Sequence, residues 1–270
     1  MNNKTVKLGL VGKDVSGSVS HLIHSFILKE WGYLCEYEKI SVFPLEFDLT
    51  ARRLIGDFDG FNVTIPYKRD IMEYLNEVVG DAFLFGAVNT VVSDGATGYN
   101  TDGLGFMQMV ASAGIDVKGK RVLVLGGGGS GRSSAVKLKQ AGAKVFMFQR
   151  SRDKLAETCK EIGVTPADDP EKGGYEILVN CTGVGMHDTV GVSPVSEKAF
   201  QGAEAAIDLI YNPEETEFLK IAKSCGTRTV NGKAMLFYQA YYADCLFVKK
   251  QPDSKEAERL YQKYLLEIER

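Results

Sequence analysis

The chain has 270 residues, enough for two compact domains and too many for one small core. Hydrophobic residues make up 44% and charged residues 25%, with a formal net charge of -3, so neither a disordered chain nor a polyanion-binding protein is indicated, and nucleic acid is not an expected partner. No apolar run approaches the ~18 residues of a membrane span, and "MNNKTVKLGLVG" leads straight into a strand pattern rather than a cleavable signal; the expected compartment is the cytoplasm.

In chain order, Val6 to Val11 ends in Gly12 and reads as a strand, followed by helical spacing in "SHLIHSFILKEWG". Strand-like runs recur at "LCEYEKISV" and "GFNVTI", with helical patterns between them. That alternation predicts βαβ units around a largely parallel sheet. In "FNVTIPYKRD" the apolar run stops at Pro66, which cannot donate to a sheet ladder, so the strand should end near Thr64 or Ile65 and Lys68 should start a helix at the carboxyl edge of the sheet. "AVNT" sets Asn89 in an otherwise apolar run, and "YNTDG" sets Asp102 where it would cap the helix "NTDGLGFMQMVASAG". Earlier, "SGSVSH" offers Ser18 and Ser20, whose alternate spacing in an extended loop can aim two hydroxyls at one carboxylate; Ser20 is also a candidate helix cap.

From Arg121 a regular succession begins: "RVLVLG", "GRSSAVKLKQAG", "KVFMFQ", "SRDKLAETCKEIG", "YEILVNC" and "AEAAIDLI" alternate strand and helix until two strands follow one another. This is the pattern of a doubly wound nucleotide-binding domain. "VLVLGGGGSGRSSAV" puts Gly126, Gly128 and Gly131 in G-x-G-x-x-G register between a strand and a helix, where main-chain N–H groups can meet a pyrophosphate without a side chain in the way. After the next strand an NAD site usually carries an acidic residue for the ribose. Here Gln149, Arg150, Ser151, Arg152 and Lys154 follow instead, and a guanidinium suits a 2′-phosphate, so NADP is the expected cofactor. After "TRTVNG" two long helices, "KAMLFYQAYYADCLFV" and "DSKEAERLYQKYLLEIE", close the chain and would pack back on the first domain.

The five cysteines are odd in number and contain no CxxC pair, which predicts reduced thiols used as small core residues. His21 and His24 are three apart, but no third ligand is visible; capping or surface roles are expected rather than a metal site.

Together these segments resemble shikimate dehydrogenase over essentially the whole chain. The likeness is carried by the serine pair Ser18 and Ser20, by "NVTIPYK" (Asn62 to Lys68), by "AVNT" (Ala87 to Thr90), by "NTDG" (Asn100 to Gly103) and by the glycine loop with "QRS" after it. Late in the chain "NCTGVGM", "IDLIYNP" and "GKAMLFYQA" continue it. The resemblance implies a two-domain α/β protein: an N-terminal substrate domain with a parallel-rich sheet, residues 1–104 completed by helices in 233–270, and a Rossmann-type NADP-binding domain, residues 105–232. It implies reversible NADPH-dependent reduction of 3-dehydroshikimate to shikimate, by a monomer or homodimer. In that picture Lys68 and Asp102 are catalytic, and Ser18, Ser20, Thr64, Asn89, Tyr211 and Gln239 bind substrate. Gly126, Gly128, Gly129, Ser130, Gly131, Gln149, Arg150, Ser151, Thr182, Gly232 and Met235 line the cofactor site. The chain departs from the family at His21, where proline is usual, at Gln149, often asparagine, and at Ala234, often glycine. Three rivals stay open: a relative acting on quinate or using NAD, an enzyme of the methylenetetrahydrofolate dehydrogenase type, and a non-catalytic NADP(H)-binding redox sensor.

Overall fold

The structure is a computed structural model and describes residues 4–268. The chain divides into two compact units, Met1–Gly105 with Leu236–Arg270, and Phe106–Met235.

In the first unit β1 (Thr5–Gly12), α1 (Ser20–Glu30) and β2 (Leu34–Ser41) form a βαβ turn of chain, with β1 and β2 parallel. Helix α2 (Phe47–Asp57) leads to β3 (Gly60–Val63), parallel to β1 on its other side. Short elements follow: β4 (Glu77–Val78), α3 (Asp81–Phe85), β5 (Thr90–Val92) and β6 (Thr97–Tyr99), after which α4 (Asp102–Ser112) runs on into the second unit. The sheet order is β2-β1-β3-β5-β6-β4, with β5 antiparallel to both β3 and β6. Alternation along β1 and β3 sorts the apolar side chains. Val11, Phe61 and Val63 face a core with Phe47, Leu54 and Tyr67. Val6 and Leu8 face the opposite layer.

The second unit continues with β7 (Arg121–Leu125), α5 (Gly129–Gln140), β8 (Lys144–Phe148), α6 (Arg152–Ile162), β9 (Thr165–Pro166), β10 (Ile177–Asn180), β11 (Ala205–Asp208), α7 (Glu217–Ser224) and β12 (Arg228–Val230). All neighbours in the order β12-β11-β10-β7-β8-β9 are parallel. The central strands "ILVN" and "AAID" are buried at every position, as strands covered on both faces must be. Helix α8 (Lys233–Phe247) begins in this unit, and its remainder with α9 (Ser254–Ile268) belongs to the first, where Ala243 and Phe247 cover Val6 and Leu8. Gly60 makes this packing possible: a Cβ there would lie 2.4 Å from the Phe247 ring.

Among the described residues no helix is long and apolar enough to cross a membrane. Cys159 and Cys245 are buried, whereas Cys225 is exposed on the turn after α7, which corrects the expectation that all five thiols fill the core. His24 is fully buried and bonded to Asp244, and so plays neither the capping nor the surface role expected of it.

Candidate active site

The loop before α1 sets the two serines together. The Ser18 hydroxyl donates to Ser20 Oγ at 3.0 Å and accepts the Ser20 N–H at 3.2 Å. Lys39 on β2 secures the loop by donating to the carbonyls of Ser16 (2.7 Å) and Ser18 (3.4 Å). Ser20 is the first residue of α1 rather than its cap; Val19 holds that position and makes no side-chain cap bond.

Strand β3 ends at Val63, one residue before Thr64, whose N–H is taken by the Val11 carbonyl. Lys68 lies in a turn and does not start a helix; a 3₁₀ segment begins only at Asp70. The reason is competition for backbone groups. The Lys68 carbonyl accepts from Val88 N–H at 2.7 Å, so the Met72 N–H turns to Arg69 instead, in 3₁₀ fashion. Tyr67 anchors the turn, stacked on Phe47 with ring centroids 4.1 Å apart and its hydroxyl donating to the Val42 carbonyl at 2.6 Å.

This turn directs Lys68 Nζ to Asp102 Oδ2 at 2.5 Å. Both side chains are mostly but not wholly covered, 20% and 11% exposed, which leaves room for one small ligand group to reach them. Asp102 opens α4, where the helix N-terminus favours a carboxylate. It does not cap the helix: Asn100 Oδ1 takes the Asp102 N–H, and the Asp102 carboxylate points to Lys68 and Asn89. Asn89 Nδ2 donates to Asp102 Oδ1 at 2.8 Å, and its Oδ1 accepts the Thr101 N–H at 2.8 Å. An ammonium, a carboxylate and an amide oriented by an obligate donor thus form one cluster.

The sequence reading missed several polar groups behind this cluster: Tyr37, Asn62, Thr90 and Thr101, linked to it by hydrogen bonds, and the His24–Asp244 pair at 2.6 Å beneath Tyr37. Asn62 in "GFNV" carried a usable signal, because a polar residue amid a fully buried strand needs a partner. Burial pushes the Asp244 carboxyl up to about 6 against the opposing attraction of His24. Gln239 donates to its own helix at the Leu236 carbonyl (3.0 Å) and makes no described bond to Lys68, Asp102 or Asn89. Thr64 joins the cluster through the chain alone.

In the second unit the glycine loop opens α5. Gly126 has φ +103°, and a Cβ at Gly131 would run into the Gly126 carbonyl oxygen, so both positions demand glycine. Nothing lies within 4 Å of where side chains at Gly128 and Gly129 would start, which leaves the first turn of α5, including Ser130, open to an anion. The Gln149 side chain folds over Gly127 and its Nε2 is buried without a partner. Arg150 and Ser151 are exposed at the end of β8. Arg152 is tied to Asp168 at 3.3 Å, whereas Arg150 forms no ion pair among the described residues. An orphaned amide donor, open helix-terminal N–H groups and an uncommitted guanidinium fit a phosphorylated dinucleotide. Beside them, Thr182 Oγ1 donates to Asn180 Oδ1 at 2.7 Å, and Asn180 Nδ2 donates to Asp208 at 3.1 Å. Burial raises the Asp208 carboxyl, while bonds from Thr216, the Ile210 N–H and Asn180 oppose it. Gly232 packs against the Leu209 carbonyl, Met235 is buried, and Tyr211 is exposed on the segment after β11.

A family model described as shikimate dehydrogenase substrate binding domain matches residues 10–91. The chain is 37% identical over 277 residues to a shikimate dehydrogenase (NADP(+)) of Caldicellulosiruptor saccharolyticus, covering 97% of this chain and 96% of the relative. It is 35% identical over 269 residues to the enzyme of that name from Methanocaldococcus jannaschii, covering 94% and 95%. Among solved structures, shikimate 5-dehydrogenase of Thermus thermophilus, in complex with NADP(H) and shikimate, superposes with a TM-score of 0.88 at 32% identity, covering 96% of this chain and 99% of that one.

Proposed function

The chain belongs to the shikimate dehydrogenase family, and from that premise we propose that it catalyses the reversible, NADP-dependent reduction of 3-dehydroshikimate to shikimate with Lys68 as proton donor. The observation that carries the residue assignment is the contact of Lys68 Nζ with Asp102 Oδ2 at 2.5 Å, with Asn89 on the other carboxylate oxygen.

When bound, NADPH supplies the hydride. As the ketone carbon is reduced, negative charge builds on its oxygen; the Lys68 ammonium stabilises that charge and passes it a proton. In the oxidative direction the neutral amine takes the hydroxyl proton back. Asp102 holds the amine by one oxygen and offers a ring hydroxyl an acceptor by the other, and Asn89 keeps the carboxylate from rotating. Ser18 and Ser20 bind the substrate carboxylate with two hydroxyls, assisted by Tyr211, and Thr64 and Gln239 bind ring hydroxyls. On the cofactor side, Gly126, Gly128, Gly129, Ser130 and Gly131 receive the pyrophosphate and Gln149 the ribose, while Arg150 and Ser151 receive the 2′-phosphate. Thr182, Gly232 and Met235 line the nicotinamide end.

The deciding experiment is a panel crossing shikimate and quinate with NADP and NAD, followed at the NADPH absorbance band. Turnover of shikimate with NADP above every other pair is the expected result. A chain that binds NADPH but reduces no 3-dehydroshikimate would be a sensor, not an enzyme.

A further inference from the structure

Tyr37 and Asn62 stand on the same face of the first sheet, one strand apart. Leu8 pairs with Tyr37 on β2, and Leu10 pairs with Asn62 on β3; Leu8 and Leu10 are two residues apart on β1, so all four side chains project the same way. On that face the Tyr37 hydroxyl donates to Asn62 Oδ1 at 3.1 Å. Asn62 Nδ2 donates to the Asn89 carbonyl at 3.3 Å and to Thr90 Oγ1 at 3.2 Å. The Thr90 hydroxyl donates to Asn89 Oδ1 at 2.9 Å, and Asn89 Nδ2 reaches Asp102.

Fixed acceptors and the shorter contacts set the polarity of this chain. A backbone carbonyl can only accept, so Asn62 must turn its NH2 toward Asn89 O, which leaves its Oδ1 facing Tyr37. Tyr37 has one proton, and Asn62 Oδ1 requires it. Thr90 receives from Asn62 and gives its own proton to Asn89 Oδ1 at 2.9 Å, the nearer acceptor, since Thr101 Oγ1 lies 3.4 Å away. That oxygen also accepts the Thr101 N–H, so the Asn89 NH2 is directed at the Asp102 carboxylate.

We propose that Tyr37 is a positioning residue for the reaction: its hydroxyl locks the Asn62 amide, and through Asn62 and Thr90 it holds Asn89 in the orientation that fixes Asp102 beneath Lys68. The tyrosine is itself immobilised, because its ring stacks on His24 with centroids 4.9 Å apart and 21° between planes, and His24 is held by Asp244. The proposal rests on the family reading for the reaction it serves, but not for this hydrogen-bonded wire.

The test is Tyr37→Phe in the whole chain, which keeps the ring, the stack and the fold while removing one oxygen. The expected result is a kcat about tenfold lower with the KM for shikimate and the affinity for NADPH within twofold of the parent, since alignment of the proton donor matters most in the transition state. The side-chain amide resonances of Asn62 and Asn89 should both shift, a readout that needs no turnover. Tyr37→Phe combined with Asn62→Ala should lose no more activity than Asn62→Ala alone, because the two act in series. A kcat within twofold of the parent, or a lower kcat with both amide resonances unmoved, overturns the proposal. A parent chain inactive on shikimate would refute the family reading instead, and the two amide resonances would still decide whether Tyr37 sets the wire.

Discussion

Lys68 is held by a carboxylate that is itself held by an amide, and each link constrains one degree of freedom of the next. Removing the amine should therefore remove the proton donor without disturbing the second unit. Lys68→Ala is expected to lower turnover by ~10²-fold, the scale of a lost general acid, with NADPH affinity unchanged when titrated by fluorescence. Undiminished turnover would end the assignment. A second titration belongs to Asp244, whose carboxyl rises from its ordinary 3.8 to about 6 through burial. A carboxyl raised by folding takes up a proton on folding, so the stability it contributes is present at the acid end and is lost as pH rises between roughly 4 and 6. Asp244→Asn cannot titrate. Denaturant unfolding across that window should show the parent losing stability that the variant keeps; parallel curves would exclude the effect. Lys68 and Asp102 were legible because they follow a strand-ending proline and open a helix. Tyr37 and Asp244 were not: in "LCEYEKIS" a tyrosine between glutamates reads as a half-wet strand position, and in "FYQAYYADCLF" nothing local says that the acid will meet a histidine 220 residues away.

The elements with an apolar pattern bounded by a glycine, such as β1, α1, β7 and α5, were readable because the pattern and its stop agree. The hairpin of β5 and β6 and the helix α7 were not. β5 and β6 have three residues each, too few to show alternation, and α7 is an eight-residue amphipathic segment whose start is set by the Thr216 side chain capping Leu219 N–H. The turn at Lys68 was misread as a helix start because the competing partner, Val88 N–H, is distant in sequence. At the same scale, α4 and α8 approach through Gly105, where a Cβ would sit 2.7 Å from the Gln239 backbone nitrogen. Gly105→Ala must push the helices apart, and overpacking of this kind costs about 1–3 kcal/mol. Because Gln239 moves with α8, the variant should also raise the KM for shikimate. Chemical denaturation and steady-state kinetics check both halves, and a variant unchanged in both would show that the crossing relaxes freely.

Over the whole molecule, the residues expected to meet substrate and those expected to meet cofactor divide between the two units, with Tyr211 the exception in the second. Each unit has its own sheet and its own core, built on Phe61 and Val63 in one and on Leu123 and Leu178 in the other. A ligand slows exchange most where it orders backbone amides directly, so the two ligands should leave separate footprints on the intact chain. NADPH alone should slow deuterium uptake at Gly126–Gly131 and Gln149–Ser151, and NADH at equal concentration should protect the second stretch less, since it lacks the phosphate that Arg150 would meet. In Arg150→Ala that difference between the two cofactors should vanish, while protection of the glycine loop persists. Shikimate alone should instead slow uptake at Ser18–Ser20, Thr64–Lys68 and Asn89–Asp102. If shikimate alone protected only residues within 106–235, the substrate would be bound by the second unit, and the role given to the first would fall with it.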